Sequence, residues 1–355
     1  MQFPLRLPGE KVMVPPVSFW ANCPEGATRL FTVLLIGGLL VLQAPWGAAD
    51  AQQSGNIPRV GFFRPAPPSP ELERILESFR QGLRDQGYVE GQNVAVEVRF
   101  PATTADPLAD IATGLVRLKP DVIFAVASSG IDAVRNATTS IPIVALDLET
   151  DPLASGIVAS LARPGGNITG IFLDFPELGG KWLELVKEMS PRISRVAVLW
   201  DPATGRVPLK GAEAAAPSLR LKVQVLQARG PGDFEGAFQG AVRARAGAMV
   251  VLSSPVFNTY RRQLVDLAAR HRLPVIMPFP FFADDGGLIA YGTDLVELYR
   301  QGGAMVGRIL KGASPKSMPV ERPNRFLLVV NVKTANALGI TIPTSILFRA
   351  NRVID

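Results

Sequence analysis

DPLASGIVASLARPGGNITGI, residues 151–171, joins two stretches of chain that repeat the same rhythm of β and α pattern. Asp151-Pro152 follows the apolar run IPIVAL at 141–146. It therefore stands where a parallel strand opens into its loop, which is where open α/β sheets bind ligands. The spacing predicts a short helix over 153–161. Arg163-Pro164-Gly165-Gly166-Asn167 ends it, since proline stops the pattern and two glycines permit positive φ. Residues 168–171, ITGI, then read as a strand. A connection this punctuated reads as a crossing between two lobes, with a ligand cleft beside it.

Upstream, residues 59–63 (RVGFF) read as a strand and the proline-rich 64–70 as an extended loop. A helix is predicted over 71–86 because Leu72, Ile75, Leu76, Phe79 and Leu83 share one stripe, closed by Gly87. Val94, Val96 and Val98 alternate as a half-buried strand. After a helix at 106–118, the apolar 121–126 suits a central parallel strand. Residues 127–130 (ASSG) then read as a loop before a helix at 131–137. Downstream, an amphipathic helix at 176–189 precedes strands at 195–200, 222–227, 248–252 and 274–277, with helical pattern between them. Residues 288–294 form a strand that starts a helix over 295–310. This order predicts two doubly wound parallel-sheet α/β lobes joined by a multi-segment hinge, with the cleft between them. The expected divisions are a leader and signal peptide at 1–51, a first lobe at 57–170 and a second at 171–291. Residues 292–355 are a return segment and C-terminal helices, whose lobe the pattern leaves open.

Four stretches carry a resemblance: 151–171, GYVEGQN at 87–93, RVAVLWDP at 195–202, and residues 331–343. In that order the chain resembles the substrate-binding proteins of ABC importers, in the branch similar to tryptophan-binding proteins, from about residue 57 to the C-terminus. The resemblance implies a periplasmic-binding-protein-like I fold and a solute-binding component that delivers its ligand to a membrane permease. Members of this branch differ in what they bind. Their amino-acid-binding members favour an amino acid or an aromatic or carboxylate compound here.

At 47% hydrophobic and 19% charged residues the composition is that of a globular chain. A length of 355 residues suits two lobes of ~150 residues after a leader. The net charge is +6, and the basic residues are scattered without a stripe or aromatic interleaving, so no nucleic-acid partner is expected. Residues 30–42, LFTVLLIGGLLVL, follow Arg29 and precede the small residues of GAADA at 47–51. A run of 13 apolar residues is short for a bilayer and has the flanks of a cleavable secretory signal. Either Met1 or Met13 serves as a start for this leader. The single cysteine, Cys23, precedes the apolar run, so no lipid anchor and no disulfide is expected after cleavage. A periplasmic, monomeric protein is the reading.

Ligand contacts are expected at strand ends. In the first lobe these are Ser128 and Ser129, as hydroxyl and helix-end donors to an anion, together with Asp147 and Asp151. Asp151 either meets a ligand ammonium or caps the predicted helix. In the second lobe they are Asp201, Ser253, Ser254 and an apolar wall from Phe279 and Phe281, with Tyr291 on the hinge. The only histidine, His271, sits near a helix end, and no cysteine or histidine set remains for a triad or zinc. No phosphate loop or dinucleotide fingerprint is present. No catalytic residue, cofactor or metal is expected. A small-molecule enzyme on the same scaffold, or a periplasmic sensor working with a membrane kinase, are the alternatives, and the missing nucleophile set and the missing late membrane span weigh against them. N-terminal sequencing of the exported protein is expected to begin near Asp50 or Gln52. Recovery of residues 30–42 intact in membranes would refute export by cleavage.

Overall fold

Strands β1 (Arg59–Phe63), β3 (Val122–Val126), β4 (Ile143–Asp147) and β5 (Ile168–Phe172) are almost wholly buried, and the half-buried β2 (Ala95–Arg99) lies at the edge. Continuous apolar strands belong in the middle of a sheet covered on both faces, and an alternating one at its margin. The order is β2-β1-β3-β4-β5, all parallel, and the buried β5 forms the other edge, where Glu321 covers it. This is a computed structural model, which describes residues 57–173 and 176–355; Ile57–Asp355 forms one unit. The apolar run at 30–42 and the expected cleavage site lie outside the described residues. Among the described residues no helix is long and apolar enough to cross a membrane.

The second sheet holds seven strands: β6 (Arg195–Trp200), β7 (Lys222–Gln227), β8 (Ala248–Val251), β9 (Val275–Met277), β10 (Ile289–Thr293), β11 (Phe326–Asn331) and β12 (Arg352–Ile354), in the order β12-β11-β10-β9-β8-β6-β7. The strands from β6 to β10 pair in parallel, as expected. β11 runs antiparallel to β10, because the chain enters this sheet from the opposite direction after its last crossing, and β12, parallel to β11, shares its direction.

The chain passes between the sheets three times. β5 leads to the helix Glu177–Met189 on the second sheet. β10 leads to the helix Leu295–Leu310, which packs on the first, and residues after Glu321 return to β11. Before that return Glu321 bridges to the edge of β5: its N–H bonds to the Gly170 carbonyl (2.9 Å) and its carbonyl accepts the Phe172 N–H (3.0 Å). At the second crossing the Trp182 Nε1–H donates to the Tyr291 carbonyl at 2.7 Å.

Two local expectations change, and one stretch gains a regular element. No helix forms over 153–161; instead Asp151 Oδ1 accepts the N–H groups of Leu153 (2.8 Å) and Ala154 (3.1 Å), and Gly156 at φ 69° ends the turn before a helix can propagate. The segment 127–130 is not a loop, since the helix Ala127–Ala137 begins directly at the strand end, with Ala127 at φ 58°. The phenylalanine cluster is regular for one turn: Phe279 precedes the helix Pro280–Asp284, whose proline takes a first-turn place where no N–H is needed.

Helix Leu295–Leu310 lies against helix Pro70–Arg84 backbone to backbone. A β-carbon at Gly303 would come within 2.1 Å of the Phe79 carbonyl oxygen, and one at Gly82 within 1.9 Å of the Arg300 carbonyl oxygen. Gly114, in the helix Leu108–Arg117, has open space instead. Urea unfolding is expected to give opposite signs: Gly114→Ala stabilises by ~0.5–1 kcal/mol through helix propensity, while Gly303→Ala destabilises by ~1–3 kcal/mol through overpacking.

Candidate ligand site

The loops after β1, β3 and β4 face those after β6, β8 and β9, so the carboxyl ends of both sheets bound one cleft, as the topology requires. Several hydrogen bonds cross it. Arg64 leaves β1 and is only 3% exposed. Its Nη1 donates to the carbonyls of Ala66 (3.2 Å) and Pro67 (2.8 Å), and its Nη2 reaches the second lobe at the Pro255 carbonyl (3.1 Å) and the Thr259 hydroxyl (2.8 Å). The Val207 N–H donates to the Glu149 carbonyl at 3.0 Å, and the Ser128 hydroxyl approaches the Ala203 carbonyl at 3.5 Å. The lobes are closed upon one another.

Two cavities remain in the cleft and meet at Pro255. The inner one is tight, about 30 Å³. Its apolar wall includes Ile75, Val126, Leu148, Phe279, Leu295 and Tyr299, and its polar wall Arg64, Glu149, Ser253 and Asn258. The outer one measures about 340 Å³ and is bounded by prolines 65, 101, 202 and 255, with Ser129, Asp201, Thr204 and Arg229 supplying polar groups. Small-molecule pockets typically run ~300–1,000 Å³. The outer cavity has that scale already; the inner one reaches it only when the lobes part.

The residues singled out from sequence divide accordingly. Ser253 and Phe279 line the inner cavity, and Ser129 and Asp201 the outer one. Asp147 stands at the end of β4 beside Glu149, fully buried. Ser254 is behind the wall: it caps helix Pro255–Thr259 by accepting the Val256 and Phe257 N–H groups, and donates to Asp201 Oδ2 at 2.7 Å. Asp201 Oδ1 holds the Ala203 N–H, so this carboxylate braces two loops at once. Ser128 spans the cleft rather than lining either cavity, and neither serine caps its helix, whose N-cap is Val126. Phe281 stacks behind Phe279 at 5.5 Å and lies under the Arg261 guanidinium. Tyr291 stacks on Phe326 at 6.1 Å. Phe281, Tyr291 and Asp151 line neither cleft cavity.

Sequence reading missed Arg64, Asn258 and Tyr299. A charged residue directly after a buried strand was the available signal for Arg64. Tyr299 gave none, because at its spacing on helix Leu295–Leu310 it reads as core, and its ring does pack on Phe62 and Phe124.

Burial is what chiefly sets the acids of the cleft. It pushes the Glu149 carboxyl well above the usual range, and the neighbouring Asp147 adds to the rise, while Ser253 and the Leu148 N–H oppose it. Burial likewise raises Asp147, against hydrogen bonds to residues 149 and 150, and raises Asp201 against Ser254 and the Ala203 N–H.

The family model described as ABC transporter substrate binding protein matches residues 68–354. The chain belongs to this family. A tyrosine-binding protein of Clostridioides difficile (strain R20291) is 26% identical over 272 residues, covering 76% of this chain and 77% of that one. A solved conserved domain protein from Vibrio cholerae O1 biovar El Tor is 26% identical with a TM-score of 0.76, over 84% of this chain and all of the other. An ABC domain from Streptococcus pneumonia in complex with L-Trp is 23% identical with a TM-score of 0.74, over the same shares. In this substrate-binding protein the cleft is therefore the place to seek ligand contacts.

The raised carboxyls have a sign. A folded state that holds a proton the unfolded chain has released loses stability as pH rises from the ordinary carboxylate pKa, ~4–4.5, up to the raised folded value. Thermal unfolding followed against pH is expected to show this decline, and Glu149→Gln, which cannot ionise, to flatten it. An identical slope in the variant would remove Glu149 as its source.

Proposed function

We propose that this protein is the solute-receiving component of an ABC importer, exported to the periplasm, which closes on an aromatic or branched amino acid and presents it to a membrane permease without converting it. The observation that carries the reading is the inner cavity: an apolar wall with Phe279 and Tyr299 on one side, and Glu149, Ser253 and Asn258 on the other, between lobes held by cross-cleft hydrogen bonds. A zwitterion with an apolar body matches such a wall. Membership of the substrate-binding family supports the transport role, and the tyrosine-binding relative and the L-Trp-bound structure support the ligand class.

Ser128 and Ser129, in the first turn of helix Ala127–Ala137, are the proposed partners of the ligand carboxylate once the lobes part. The helix dipole favours an anion there. Phe279 and Tyr299 are proposed to hold the side chain. Arg64 acts on closure: its four hydrogen bonds join a first-lobe loop to helix Pro255–Thr259, so it stabilises the closed form without touching the ligand's charge.

A thermal-shift screen of aromatic and branched amino acids, nucleosides, sugars and aromatic acids tests the reading. A true ligand at ~100 times its dissociation constant adds ~2.7 kcal/mol to stability, a rise of several degrees. Hits confined to neutral sugars would overturn the amino-acid assignment. Asp151→Asn, a change at a turn outside both cavities, is expected to leave the affinity of any hit unchanged.

A further inference from the structure

The wall of the inner cavity holds, among the described residues, a buried carboxyl without an ion pair and an amide oxygen, Asn258 Oδ1, without a donor. Glu149 is in its wall and Asp147 adjoins it, 3% and 0% exposed. Asp147 Oδ1 accepts the Glu149 N–H at 2.9 Å and Glu149 Oε2 the Leu148 N–H at 3.3 Å. Asp147 Oδ2 has no donor, and neither has Asn258 Oδ1 in the same wall. Among the described residues neither carboxyl belongs to an ion pair.

The charged and titratable groups nearby do not fill that role. Arg64, across the cavity, directs Nη1 and Nη2 to three carbonyls and the Thr259 hydroxyl. Tyr299 is the other titratable side chain in the wall. Arg206, next to the Val207 N–H that meets the Glu149 carbonyl, lies over the Trp200 ring at 5.2 Å. Burial, and for Glu149 the neighbouring Asp147 as well, favours the protonated forms of these carboxyls while the cleft is closed. A buried pair of this kind is expensive unless something else neutralises it.

An ammonium group brings three N–H donors, one positive charge and no acceptor. A carboxylate, by contrast, would bring a further negative charge and no N–H donor. We propose that Asp147 and Glu149 receive the ammonium group of the ligand, and that Glu149 is the residue by which the cleft separates an α-amino acid from its deaminated counterpart. This rests on the amino-acid reading above and makes it narrower, since aromatic or aliphatic acids without an amine are excluded. It also fixes a pH dependence. A cation beside the pair favours its ionised form, so an amine-bearing ligand binds more tightly as pH rises through the range in which the pair titrates.

Calorimetric titration of the full-length protein and of Glu149→Gln decides it, using L-tyrosine and L-leucine against 3-(4-hydroxyphenyl)propanoic acid and 4-methylpentanoic acid, which keep the skeleton and carboxylate and lack the amine. At least one amino acid is expected to bind roughly tenfold or more tightly than its deaminated partner, with affinity rising as pH climbs above the ordinary carboxylate range, ~4–4.5. Glu149→Gln is expected to lose about that factor and the rise together for the amino acid, and not to weaken the deaminated acid, so that the gap between the two closes. Equal affinity for an amino acid and its deaminated partner would overturn the ammonium site while leaving the transport reading intact. Failure of all four compounds to bind the unmodified protein would overturn both. If Glu149→Gln does not fold, the paired ligands compared on the unmodified protein still decide between an ammonium site and none.

Discussion

The architecture depends on two helices that touch backbone to backbone. Helices Pro70–Arg84 and Leu295–Leu310 meet through Gly82 and Gly303, whose missing β-carbons let one backbone touch the other. Because the second helix arrives after the chain has built most of the second sheet, this contact returns the chain to the first lobe and ties the two together. The approach also seats the Tyr299 ring against Phe62 and Phe124 at 6.1 and 5.7 Å. The same ring is part of the inner cavity wall, as is Leu295 at the start of the helix. Packing that stabilises the first lobe thus places part of the ligand wall.

Closure rests on a different kind of interaction. Arg64 is a buried cation whose N–H groups are met by carbonyls and a hydroxyl from both lobes. When the lobes separate, the bonds to Pro255 and Thr259 are replaced by water, and the gain of remaking them on closure is only about 1–3 kcal/mol for a charged donor. That is a useful size for a hinged receptor. A much stronger latch would leave the closed state populated without ligand, and a much weaker one would make the ligand supply all the closing energy.

Much of this was legible in the chain and some was not. The stripe from Leu72 to Leu83 and the buried strands at β3 and β4 follow from periodicity, because side chains that face a core must recur at the period of their element. The helix expected over 153–161 failed because Asp151 satisfies two N–H groups locally and Gly156 adopts positive φ, a competition between turn and helix that composition alone does not settle. Ser253, Phe279, Ser129 and Asp201 were reachable as strand-end residues. Phe281, named by the same rule, and Tyr291, named on the hinge, line neither cavity, since such a rule fixes the neighbourhood of a residue and not the direction of its side chain. Asn258 lies a turn beyond Ser253, on helix Pro255–Thr259, and Tyr299 comes from a helix that the fold brings to the cleft from far along the sequence.

The carboxyls at the end of β4 are where local and global demands part. The run from Ile143 to Leu148 is apolar except at Asp147, and Glu149 follows with almost no exposure. On stability alone two acids so close together in that place are a poor choice, because burial opposes their charge and, among the described residues, neither is in an ion pair. A neutral residue of similar size would pack without the penalty. Violations of this kind are expected at functional sites, where a group is held ready for a partner from outside the chain. Here the acids stand against an apolar cavity between two lobes, so their unmet demand is for positive charge and N–H donors, and it is greatest when the cleft is closed. A solute that meets that demand lowers the energy of the closed form more than that of the open one, and it is this difference, rather than tight binding as such, that moves a two-state receptor.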